Sequence, residues 1–242
     1  MDSFTESKIF RSVTPNRSYQ HDLKIALESA FAAGLCLGLP TGLFFWVMIM
    51  QGWAPSAQGH RLLNFLQAYM VPPVKLEMLG AFGWGLCLSK ISGYRQWWWL
   101  SAATMAGVWI GDFALYHGWL DQWVPTGLSL HARFELILGV TVLCVTVSTG
   151  LLLGLVLMNW KASLTLAGST GLTSVVAAMV TLMILYGLGV RIGSGNVAMP
   201  RVTAVTTMVA ALAGGAILGV IFSRYVRKGS RPPPASPKSD SK

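Results

Sequence analysis

The sequence predicts an all-α, polytopic membrane protein, a bundle of six transmembrane helices with both termini on the cytoplasmic side. Three observations carry this expectation. The chain of 242 residues is 53% apolar and only 11% charged, whereas soluble domains carry about 25% charged residues, so too few charges are present to coat a water-facing surface. Its 26 glycines fall largely within long apolar runs, where small residues let membrane helices approach closely. Those runs recur at lengths that suit a bilayer.

A spanning helix needs about 20 mostly apolar residues, because each residue rises about 1.5 Å through a hydrocarbon core about 30 Å thick. Segments 26–50, 74–90, 96–117, 134–159, 163–190 and 202–224 approach or meet that length. Before the first lies a basic tail, 1–25, with Lys8, Arg11, Arg17 and Lys24, in which Pro15 and Asn16 interrupt any long helix. The apolar run 30–50 exceeds the roughly 7 to 15 residues of a cleavable signal core, so it reads as a retained span. The second span is the shortest, and Lys75, Glu77 and Lys90 must snorkel toward the interfaces for it to cross. Pro72 and Pro73 mark its start, and Leu62, Leu63, Phe65 and Leu66 upstream suggest a short interfacial helix. Residues 226–242 read as a disordered basic tail, with polyproline II character near Pro232, Pro233 and Pro234.

Orientation follows from the basic residues, which concentrate on the cytoplasmic side of membrane proteins. With the N-terminus inside, 13 of the 18 Lys and Arg residues fall on the inner side, and Arg61, Lys75, Arg133, Arg191 and Arg201 fall outside. An even number of spans keeps both basic tails inside. Tyr94, Trp97, Trp98, Trp99, Trp160 and Tyr225 lie at the inner ends of spans and Trp53, Trp119 and Trp123 at the outer ends, where amphipathic rings belong. This distribution accounts for the net charge of +9 without nucleic acid, for which no basic face with interleaved aromatics is present. Cys36, Cys87 and Cys144 all sit in apolar runs, where a thiol acts as a small hydrophobe. Compact loops suggest a bacterial plasma membrane.

Small residues recur every fourth position in the first span, at Ala26, Ala30, Gly34, Gly38 and Gly42. Shorter stripes occur at Gly107 and Gly111, at Gly150 and Gly154, and at Gly215 and Gly219. Such stripes serve packing within the bundle or docking of another membrane subunit.

Asp112 is the acid that lipid alone does not explain. It lies five residues before the end of the third predicted span, about 8 Å deep, where a carboxylate is costly unless paired, protonated or wetted. It is either a functional group or a buried structural acid bonded to Tyr116 or to an arginine. Glu77, Tyr116, His117, His131, Arg133 and Glu135 belong to the same side and could line an outward-facing polar vestibule with it. His131 and Glu135, four apart, share a helical face. The alternative for this group is a solvated rim. One such spacing does not make a metal site, and HExxH, nucleophile, phosphate-loop and bis-histidine haem patterns are all missing from the sequence. No cofactor is expected.

Three functions are compatible with this pattern. A transport or channel-type subunit would handle a proton, ion or small solute through the vestibule. A non-catalytic subunit or assembly factor would use the small-residue stripes and basic tails. A membrane-embedded enzyme working through Asp112, His131 and Glu135 ranks last, because no catalytic spacing supports it.

Overall fold

The computed structural model describes residues 17–40, 73–116, 127–190 and 198–229. Among these residues the architecture is all-helical. Helix α1 spans Arg17–Ala33 and continues into a π-helical turn at Gly34–Gly38; α2 is Pro73–Ser92, α3 Trp97–Tyr116, α4 Leu130–Val156, α5 Trp160–Gly187 and α6 Ala198–Gly229. Within them, Glu135–Val156, Trp160–Gly187 and Arg201–Lys228 are long and apolar enough to cross a membrane. The proposed interfacial helix at 62–66 and position Gly42 lie outside the described residues, as do His117 and residues 1–16 and 230–242.

Each helix packs on its sequence neighbours, and α6 returns to α1 and closes the ring. The boundaries differ from the sequence expectation at both ends of the chain. Helix α1 begins at Arg17 rather than 26, and α6 runs to Gly229 rather than 224, so residues 17–25 and 226–229 are helical, not tail. The cause is tertiary. Asp22 receives Arg224 at 2.7 Å and Arg227 at 2.9 Å, and Ile25 is buried beside them in sequence, so the polar ends of the two helices hold each other in place. Lys24 pairs with Glu28 along the same helix at 3.7 Å.

Two tight turns sit at this same basic end. Helix α2 stops where Gly93 turns left-handed with φ 75°, and the amides of Gly93 and Tyr94 bond the Ser89 carbonyl at 2.9 and 3.1 Å. Helix α4 stops at Met158, whose φ of 50° is uncommon for a side chain larger than glycine. Asn159 then caps α5 by accepting from the Ala162 amide at 3.0 Å.

Glycine facing a hydroxyl or small side chain sets the helix spacing around the ring. A Cβ on Gly107 would lie 2.5 Å from the Cα of Thr149, and one on Gly85 would lie 2.5 Å from the Cα of Ser101. Gly154 lies against the backbone of Ser163, Gly150 against Ala167, Gly214 against the Ser174 hydroxyl, and Gly219 against Ser29. The hydroxyls also bond across the seams. Ser29 donates to the Gly215 carbonyl at 2.7 Å, Thr104 to Ala81 at 2.7 Å, and Ser148 to Gly107 at 2.7 Å. Close backbone approach of this kind drives association where lipid removes the hydrophobic advantage.

The π-turn has a chemical origin. Pro40 has no amide hydrogen to give the carbonyl of Cys36, four residues earlier, and the helix widens there, with the Leu39 amide reaching Gly34. The Cys36 carbonyl lies directly over Gly80 of α2, a position only glycine can occupy.

Candidate functional site

The small-residue stripes are turned inward. Gly34 meets Leu212 and Gly38 meets Met208 on α6, Gly111 meets Val145 on α4, and Gly215 meets Ala33 on α1. Gly107, Gly150, Gly154 and Gly219 are engaged as described above. Ala26 and Ala30 are half-buried. In the structure these positions serve contacts within one chain.

Of the outer polar group, the structure places Glu77 in the first turns of α2 and Glu135 near the start of α4, both partly exposed. The Glu135 carboxylate interacts with the hydroxyl of Tyr186, at the end of α5, a partner that sequence reading did not supply. Asp112, Tyr116, His131 and Arg133 lie on helical backbone, with side chains outside the described set. Gly107 packs on Thr149 and Gly111 on Val145, so position 112 is level with position 144 of antiparallel α4, nine residues further along than Glu135, about 14 Å on the helix axis. The outer group is therefore spread in depth rather than gathered in one layer.

A second set of polar groups follows the α5–α6 interface. Ser174 faces Gly214, with Thr170 beside it, while Ala178, Leu182, Val202 and Ala210 share one buried cluster. This antiparallel register sets Thr206 level with Leu182, and Tyr186 level with Val202. From Tyr186 to Thr170 the seam runs 16 residues, about 24 Å, interrupted by the Ala178–Ala210 layer. The hydroxyls of Thr170, Ser174 and Thr206 are buried and have no hydrogen-bond partner among the described residues. On α3 and α4, Ser101 and Thr149 are in the same condition.

An unpartnered buried hydroxyl costs about 1–3 kcal/mol, and most helical Ser and Thr avoid that cost by bonding the carbonyl one turn back. Thr141, Thr146, Thr165, Thr181 and Thr207 all do so here. Thr170, Ser174 and Thr206 do not, so their hydroxyls stand along the seam as free donors and acceptors among the described residues. Their spacing is legible in the sequence only once the register with α6 is known.

A third feature lies on the outside of the same two helices. A groove of about 750 Å³ is lined mainly by Leu172, Val176, Val180, Ile184, Val205 and Val209. These are apolar side chains, several of them prominently exposed. Comparison with protein-family models, with curated proteins and with solved structures finds no match for this chain.

Proposed function

We propose that the chain is a six-span integral membrane protein with inner termini, acting as a transport or channel-type subunit for a proton or small ion. The supporting observation is the run of unpartnered hydroxyls at Thr170, Ser174 and Thr206, reached from the end of the bundle that carries the Glu135–Tyr186 contact. Thr170 and Ser174 lie on one side of the Ala178–Ala210 layer and Thr206 on the other, so a proton or small ion solvated by these hydroxyls crosses that layer with transient water, and helices held this close by glycine leave no room for a larger solute. Asp112 supplies an exchangeable charge on the same side of the membrane.

Flux across proteoliposomes containing the full chain tests this. Thr170→Val, Ser174→Ala and Thr206→Val each remove an unpaired hydroxyl at nearly constant volume, so thermal stability stays level or rises. Proton flux into a vesicle-trapped pH dye falls at least tenfold in the triple variant, and Asp112→Asn lowers it similarly. Wild-type flux no greater than that of protein-free vesicles, or flux indifferent to both changes, refutes the proposal.

The groove between α5 and α6 favours a second reading, a subunit of a larger membrane complex that receives an apolar helix there. Stable co-purification of a second membrane polypeptide, lost on Val176→Asn and Val180→Asn, is the result that would favour it.

A further inference from the structure

The basic end of the bundle carries charges and aromatic rings that nothing else in the fold uses. Tyr94 fixes their arrangement. Its hydroxyl reaches the Val156 carbonyl at 3.4 Å and its ring meets Phe222 edge-on, with centroids 6.1 Å apart. The α2–α3 turn, the end of α4 and the end of α6 are thereby held at one level. Lys90 and Arg95 flank the first turn and Lys161 follows the second, all three exposed.

These cations differ from Lys24, Arg224 and Arg227 at the same end. Arg224 and Arg227 are taken by Asp22, and Lys24 by Glu28, whereas no ion pair among the described residues engages Lys90, Arg95 or Lys161. The sequence supplies no acid between Glu77 and Asp112, nor between Glu135 and Asp240. Beside the cations stand Trp97, Trp98, Trp99 and Trp160, with relative exposures of 50, 56, 50 and 64%. Four half-exposed indoles are costly in water and at home in the headgroup layer. The first turns of α3 and α5, which carry no acid, open on this rim and add the positive ends of two helix dipoles.

We infer that this rim is a binding site for anionic phospholipid, with Lys90, Arg95 and Lys161 holding the headgroup phosphate and the four tryptophans seating the glycerol and upper acyl region. The site is independent of what passes along the α5–α6 seam. Lipid rather than a soluble polyanion is the fitting ligand, because the half-exposed indoles next to these cations call for an apolar partner as well as an anionic one.

The full chain, extracted in mild detergent and offered equal amounts of phosphatidylglycerol and phosphatidylcholine, tests this by counting retained lipids in native mass spectrometry. The wild type retains phosphatidylglycerol preferentially. Each basic residue near an anionic surface contributes about fivefold, so Lys90→Gln/Arg95→Gln/Lys161→Gln lowers that preference by about a hundredfold. Arg231→Gln/Lys238→Gln/Lys242→Gln loses the same net charge and leaves it unchanged. If the first triple variant does not fold, Lys161→Gln alone gives a drop of about fivefold. Equal preference in wild type and rim variants overturns the site, as does an equal loss in the tail variant or full competition by inorganic phosphate.

Discussion

Replacing Gly154 with valine separates α4 from α5 and lowers the stability of the folded chain by about 3 kcal/mol, at the top of the range for overpacked cores. The side chain would grow into the backbone of Ser163. A neighbouring side chain can change rotamer, but a helix backbone moves only with the whole helix, so the cost is not relieved locally. The contact is also the one nearest the α4–α5 turn, where the Asn159 amide bonds the Gly154 carbonyl at 3.2 Å, so displacement there disturbs the turn as well. Gly168, on the exposed face of α5, has nothing within 4 Å of an added Cβ. Gly168→Ala is therefore neutral or stabilising by up to about 1 kcal/mol, through helix propensity. Thermal unfolding of both variants in one detergent separates the two effects, since a general intolerance of glycine replacement would lower both transitions.

The second large effect is loss of the clamp between α1 and α6. Hydrogen bonds from Arg224 and Arg227, reinforced by their charges, hold the Asp22 carboxyl below its ordinary pKa of 3.8. Asp22→Asn leaves two cations that are 58 and 42% exposed and remain hydrated, so the change costs about 1–2 kcal/mol. A carboxyl with a lowered folded-state pKa stabilises the fold above its unfolded value, and that contribution disappears as pH falls through the folded value. Stability of the wild type should thus hold above about pH 4 and decline below 3.8, while the variant is weaker at neutral pH and lacks this part of the acid decline. Equal thermal transitions of wild type and variant at pH 7 would show that the clamp contributes nothing.

How far the sequence carried the account depends on which interactions are local. The helices were legible because apolar runs between basic, tryptophan-rich turns mark them whatever their neighbours do. Their ends at Arg17 and Gly229 were not, because a polar helix end persists only through a partner, and the partners Asp22 and Arg224 are about 200 positions apart in the chain. The glycine stripes were visible as stripes; their surroundings, such as Met208 over Gly38, were not. The missing amide of Pro40 frees the Cys36 carbonyl, but only the packing of α1 on α2 shows that carbonyl resting over Gly80. The seam of Thr170, Ser174 and Thr206 escaped notice because serine and threonine in a membrane helix usually satisfy themselves, and only the register between α5 and α6 reveals those that do not. The deeper position expected for Asp112 relative to Glu135 follows from sequence position, whereas the partners across the helix interface, such as Val145 beside Gly111, follow only from the fold.

The central claim is a bundle that crosses the membrane six times with both tails inside. Single cysteines at Gln58, Gln122, Ser194, Gln96, Met158 and Ser236, introduced after Cys36, Cys87 and Cys144 are replaced by serine, test it with a membrane-impermeant maleimide. The account predicts labelling from outside intact cells at 58, 122 and 194, and labelling at 96, 158 and 236 only after permeabilisation. Labelling of 236 from outside, or of 58 and 96 from the same side, contradicts it.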